Sequence, residues 1–162
     1  MQPSMWDDPF FETHFRTWAE DRTQRMDAAA KGFAGLARKL KRHVDDRATG
    51  NLAFAWQVAC TFAERYGLSA ALLAAYRKKD KRALLAVRRR IPRVIASVEA
   101  LEDAYRTMWL SHNKPEGLET IQGRLGMLQA RYREMSRRIG DYTAGRINEL
   151  AELEYRCPPR NA

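Results

Sequence analysis

The side chains best suited to chemistry in this sequence are scattered rather than gathered. His14, His43 and His112 lie far apart, and no Glu-x-x-His pairing falls on a helical stretch, so a carboxylate-bridged di-metal bundle is excluded. Cys60 and Cys157 with these distant histidines do not make a zinc set. A glycine-rich phosphate loop is also missing. The sequence therefore assigns no catalytic, cofactor-binding or metal-binding residue. What remains is a basic surplus and one loop of recognition-type side chains. Lys78-Lys79 with Lys81-Arg82, Arg88-Arg89-Arg90 with Arg93, and Arg131, Arg133, Arg137 and Arg138 are cations of the kind that meet phosphates. Three consecutive arginines on a helix span about 200°, so they cannot share one direction. No helix-turn-helix, zinc or RNA-recognition signature accompanies them. A solvated face is the simpler reading, with nucleic acid or another acidic partner as the alternative. The loop runs from Trp109 through Asn113, Lys114 and Glu116 to Glu119, with Arg124 beyond it. Glu119 and Arg124 are spaced poorly for an ion pair within one helix, so each is expected to pair with the loop or with another helix.

Composition narrows the class. The chain has 162 residues, a net charge of +9 and 45% hydrophobic content, enough for one domain with a real core and too apolar for wholesale disorder. Ala, Leu, Arg, Lys and Glu dominate, which favours helix. No apolar stretch reaches the roughly 20 residues a membrane span needs. Met1 to Phe11 shows no basic region followed by an apolar run, so a cytoplasmic location is expected. Cys60 sits in an apolar helix and Cys157 in a tail, which reads as one buried and one exposed thiol.

The elements that must carry these residues are all helical. Phe11, Phe15, Trp18, Met26, Phe33, Leu36, Leu40 and Val44 form one face of a long helix, 12–46, ended by Ala48-Thr49-Gly50-Asn51. The second helix, 51–79, is apolar almost all round in its first half (Leu52, Phe54, Trp56, Val58, Cys60, Phe62), so it is expected at the centre of the bundle. Gly67 inside it costs about 1 kcal/mol relative to Ala and suggests close approach by a neighbour, or a kink. Asp80 can cap a third segment whose inward face runs from Leu84 to Trp109, with Pro92 kinking or restarting it. Asn113-Lys114-Pro115 breaks the pattern, because the residue before proline is steered away from the α region. Leu118, Ile121, Leu125, Leu128, Tyr132, Met135, Ile139 and Tyr142 then form a seam at steps of three and four, and a short helix near 145–155 follows. The expected fold is an all-α bundle of about five helices, some long, with a Pro-interrupted junction before the last long one. The expected organisation is an aromatic lead-in or interdomain linker over 1–11, a single helical domain over 12–156 and a tail over 157–162.

Four strings carry a resemblance: Trp6-Asp7-Asp8-Pro9; Ala75-Tyr76-Arg77 with Asp80 and Leu84; Trp109 with Asn113-Lys114-Pro115, Gly117-Leu118-Glu119 and Arg124-Leu125-Gly126; and Tyr142, Gly145, Glu149 and Leu150. In this order they resemble the C-terminal helical region of glycoside hydrolase family 20 proteins, the β-N-acetylhexosaminidase-like group, over nearly the whole chain. The resemblance implies a catalytic barrel elsewhere that removes terminal N-acetylhexosamine. There an adjacent Asp-Glu pair provides the general acid and orients the substrate's own acetamido group for attack. This sequence has no Asp-Glu dipeptide; Glu20-Asp21 and Glu102-Asp103 are reversed and lie on helical stretches. An eight-stranded barrel of about 250 residues cannot be built from it. No catalytic residue of the family carries over.

The chain is accordingly expected to be an accessory domain, inert by itself, whose partner is the catalytic barrel in cis or in trans. It is a possible homo-oligomer, with no membrane partner. Trp6, Phe10 and Phe11, where the chain would arrive from the barrel, and the Trp109–Glu119 segment carry aromatic and polar types richer than a solvent loop requires. Part of these two segments is expected to form one exposed apolar patch rimmed by Lys114 and Glu116. Trp109 either closes the bundle end or reaches a partner's sugar site. Asn113, Glu119 and Arg124 complete the candidate interface.

Overall fold

Local chemistry sets the junctions on either side of α3 and α4. A computed structural model describes residues 6, 8–10, 23–44 and 50–154, and among them there are five helices and no strands: α1 (Thr23–Lys41), α2 (Gly50–Arg77), α3 (Lys81–Leu110), α4 (Leu118–Thr143) and α5 (Ala151–Glu154). Asp80 caps α3, its carboxylate accepting from Ala83 N at 2.9 Å. Pro92 neither breaks nor restarts that helix. Its ring is exposed, and the buried Ile91 and Val94 on either side hold the α3 backbone through it. Gly117 (φ +90°) starts α4, and Gly145 (φ +75°) ends it in the left-handed conformation that glycine adopts without steric cost. That stop, and the loop after it, make the last helix begin at Ala151, later than the sequence pattern suggests.

The long helices run up and down. On α1 and α2, Ala30 faces Gly67 and Phe33 stacks on Phe62 at 5.0 Å. On α2 and α3, Thr61 donates to the Ser97 carbonyl at 2.9 Å while Phe54 meets Tyr105 edge-on at 5.6 Å. On α3 and α4, Arg88 packs on Gly140 and Glu102 accepts from Gln129 at 3.3 Å. The main core gathers Leu68 and Leu72 from α2, Leu84 to Leu101 from α3 and Leu125 to Tyr142 from α4. Leu150 seals its end. A smaller cluster joins Met26 of α1 to Tyr66, Ala70 and Leu73.

The seam of α4 is buried as its spacing requires. The centre of α2 is displaced from where its composition puts it. Phe54, Trp56, Val58 and Phe62 are only half-buried and Ala55 is exposed, whereas Leu68, Leu72 and Ala75 are buried. Apolar side chains are buried by neighbouring helices, and Phe54 and Val58 pack only at the margin of the main core, whose buried α2 members are Leu68, Leu72 and Ala75. Gly67 is a site of close approach: a Cβ there would stand 3.3 Å from the Arg90 guanidinium and 3.8 Å from Ala30. The Cys60 thiol is half-buried and pushed above its ordinary value, by burial first and then by Glu64. Cys157 and Phe11 lie outside the described residues, as does the sequence-predicted helix before Thr23. No helix among the described residues is long and apolar enough to cross a membrane.

Candidate docking site around the incoming chain

Residues 6 and 8–10 are held against α4 by apolar and charged contacts alike. Phe10 is 2% exposed and belongs to the main core. Asp8 is buried as well. Its carboxylate accepts from Phe10 N at 2.8 Å and pairs with the Arg131 guanidinium. Arg131 also donates to the Trp6 carbonyl at 3.2 Å. Two turns earlier on α4, the Arg124 guanidinium lies 5.4 Å from the centre of the half-buried Trp6 ring, a cation–π contact. A buried carboxylate is costly unless paired and hydrogen-bonded, and here it is both. Beneath it the Tyr132 hydroxyl accepts from Arg65 Nε at 3.1 Å, linking α2 to α4. Burial pushes the Tyr132 phenol above its ordinary value, and the Arg65 guanidinium opposes that shift.

The Trp109–Glu119 loop is built on its own tryptophan. The Trp109 carbonyl accepts from Asn113 N at 2.8 Å and from Asn113 Nδ2 at 3.2 Å. The indole N–H donates to the Lys114 carbonyl at 2.8 Å. The ring lies against Gly117, where a Cβ would stand 3.4 Å from it. Glu119 folds back to accept from Gly117 N at 2.8 Å. Tyr105 stacks on Trp109 at 5.8 Å. Trp109 thus closes the bundle end, and Glu119 and Arg124 find separate partners, one in the loop and one in the incoming segment.

The expected single patch is corrected at Phe10. That side chain faces inward because Asp8 and Arg131 turn the segment onto the seam, so it cannot face a partner. Trp6 and Trp109 are half-buried, while Lys114 and Glu116 are exposed. Asp8, Arg65, Arg131 and Tyr132 form the buried polar network that sequence reasoning passed over. The signals for it were Asp8-Pro9 after a tryptophan, and an Arg-Tyr pair on the α4 seam. Several arginines tie elements together: Arg138 donates to Glu152 at 2.7 Å, and Arg93 pairs with Glu64 at 2.6 Å.

Residues 4–159 match the family model described as the Glycoside Hydrolase 20C C-terminal domain. The chain belongs to that family. No curated protein matches it. As a glycoside hydrolase 20C C-terminal domain it is an accessory helical domain of a family 20 enzyme, and each of its recurring strings has a structural use in the bundle. Trp6 and Asp8 hold the incoming segment. Ala75, Tyr76, Asp80 and Leu84 form the α2–α3 junction, with Ala75 and Leu84 buried. Trp109, Asn113, Gly117 and Glu119 form the next junction. Gly145 ends α4, and Leu150 N donates to the Tyr76 hydroxyl at 3.1 Å.

Proposed function

We propose that this 20C C-terminal domain holds the polypeptide arriving from a family 20 catalytic barrel, in cis or in trans, and buttresses that barrel without supplying a catalytic group. The observation that carries the reading is the clamp on residues 6 and 8–10, with Phe10 in the core and Asp8 buried on Arg131. A segment anchored in this way sets the direction from which anything ahead of it meets the bundle, whereas a solvated linker would not. The reaction of the parent enzyme is hydrolysis of terminal non-reducing N-acetylhexosamine by the substrate-assisted route, with the Asp-Glu pair on the barrel. The use of Arg93, Arg131 and Arg138 as ties between elements supports this role over that of a nucleic-acid module, which would leave those cations free for phosphates.

The test is a chromogenic β-N-acetylglucosaminide assay on a family 20C barrel alone, on this chain alone, and on the two together. The chain alone gives no turnover. The barrel gains thermal stability when the chain is present, and loses that gain with Arg131→Met. Turnover by the purified chain in proportion to its concentration, or a barrel indifferent to it, overturns the reading.

A further inference from the structure

The inward side of α3 is filled by Leu84, Val87, Ile91, Val94, Val98 and Leu101, and the opposite side is left to solvent. Along that outer side Arg82, Leu85, Arg89, Ala96, Asp103 and Leu110 recur at helical steps, all of them exposed. Leu85 and Leu110 are two of the four large apolar side chains exposed among the described residues, one towards each end of the helix. The charges on the strip are segregated. Arg82 and Arg89 stand in its first half and Asp103 in its second. Neither Arg89 nor Asp103 makes a side-chain hydrogen bond or ion pair among the described residues. They lie on one face about 21 Å apart along the helix axis, too far to meet within one chain. Arg93 and Glu99, which flank the strip, are already turned to the bundle: Arg93 pairs with Glu64, and Glu99 lies 3.8 Å from Arg133. In the middle of the strip Pro92, Ala96 and Ala100 are short and exposed, which leaves room for a second helix to come close.

We infer that this face of α3 pairs with the same face of a second copy of the chain, the two helices antiparallel and meeting at Ala96. Ala96 stands midway between Arg89 and Asp103 in the sequence. A two-fold axis there sets Arg89 of each copy against Asp103 of the other. The same operation brings Leu110 beside the aliphatic stem of Arg82, and Leu85 beside Thr107. Charge complementarity decides the occupant. An acidic partner would suit Arg82 and Arg89 but meet Asp103, and a basic partner would do the reverse. A parallel second copy would set Arg89 on Arg89 and Asp103 on Asp103. The antiparallel copy answers both ends of the strip at once. The side chains that hold the incoming segment, Arg124 and Arg131, lie on α4, so the inference does not rest on barrel docking. A contact one helix wide with exposed charges makes a weak, salt-sensitive dimer.

The experiment is sedimentation equilibrium of the whole chain across a concentration series, at about 0.05 M and about 0.5 M salt. Wild type dimerises as its concentration rises in low salt, and less so in high salt. Arg89→Asp alone and Asp103→Arg alone each set like charges face to face. Each weakens the dimer about tenfold or more, close to 1.4 kcal/mol, with the melting temperature of the monomer unchanged because both positions are exposed. An equimolar mixture of these two variants dimerises again, since each supplies the charge that the other has lost. A wild type that stays monomeric, a dimer that neither variant weakens, or single variants that the mixture does not rescue each overturn the proposal. So does a monomeric chain that instead binds a short DNA duplex through Arg89.

Discussion

Asp8 and Arg131 stand 123 positions apart in the chain and form a buried ion pair, with the Asp8 carboxylate wholly out of solvent and the Arg131 side chain 15% exposed. Breaking such a pair from one side strands the other charge, which costs about 3–5 kcal/mol, whereas removing both charges costs much less. Arg131→Met is expected to destabilise the chain by that amount in urea unfolding. Asp8→Asn should cost less, because an amide oxygen still accepts from Phe10 N. The double variant Asp8→Asn/Arg131→Met should recover part of the loss of Arg131→Met, and strictly additive costs would show that the pair is not coupled.

Phe10 and Trp56 reverse the order that their sequence positions suggest. Phe10 precedes the long helices yet is 2% exposed in the core, and Trp56 lies in the most apolar helix yet is half-buried. Phe10→Ala is therefore expected to cost about 3–5 kcal/mol and Trp56→Ala clearly less. Equilibrium unfolding of the two variants side by side checks the order.

The Tyr76 phenol is pushed up from 10 to about 12, by burial first and by its bond to Glu154 next. The folded chain thus keeps a proton that the unfolded chain releases above pH 10. Its contribution to stability is complete below pH 10 and is lost as the pH rises through about 12. Tyr76→Phe also leaves the Leu150 N–H without its acceptor, a loss of about 1–3 kcal/mol at neutral pH. The stability gap between wild type and Tyr76→Phe should accordingly narrow between pH 10 and pH 12. Melting curves across that range measure it, and a constant gap would rule out the shift.

Local chemistry was readable in the sequence and long-range pairing was not. Asp80 announces its cap because donor and acceptor lie three positions apart. The α4 seam announces itself because eight apolar side chains repeat at helical steps. The first half of α2 misleads because residue type records what a side chain prefers, while burial depends on which helices arrive beside it. The fold was therefore legible as five helices and their junctions. Of the candidate site, the closing of the bundle end by Trp109 and the pairing of Glu119 within its loop were legible, whereas the contact of Arg124 with Trp6 was not. The Asp8–Arg131 clamp was not, since nothing local ties a carboxylate near the start of the chain to an arginine on α4.

Two glycines of α4 separate packing from propensity. Among the described residues a Cβ on Gly123 would meet nothing within 4 Å, so none of them gives that glycine a steric reason to be there. Its replacement by alanine should gain most of the roughly 0.5–1 kcal/mol that glycine costs in a helix interior. Gly140 is buried under Arg88, and a Cβ there would stand 3.0 Å from the guanidinium carbon. Arg88 also reaches Ser136 at 3.4 Å, and a methyl at 140 pushes the guanidinium off that position. Gly140→Ala should therefore gain less than Gly123→Ala, or lose stability outright. Adding Arg88→Ala should restore part of the propensity gain, because the obstruction is removed. Thermal unfolding of the three variants decides this. Equal gains at both glycines would mean that Arg88 does not press on α4.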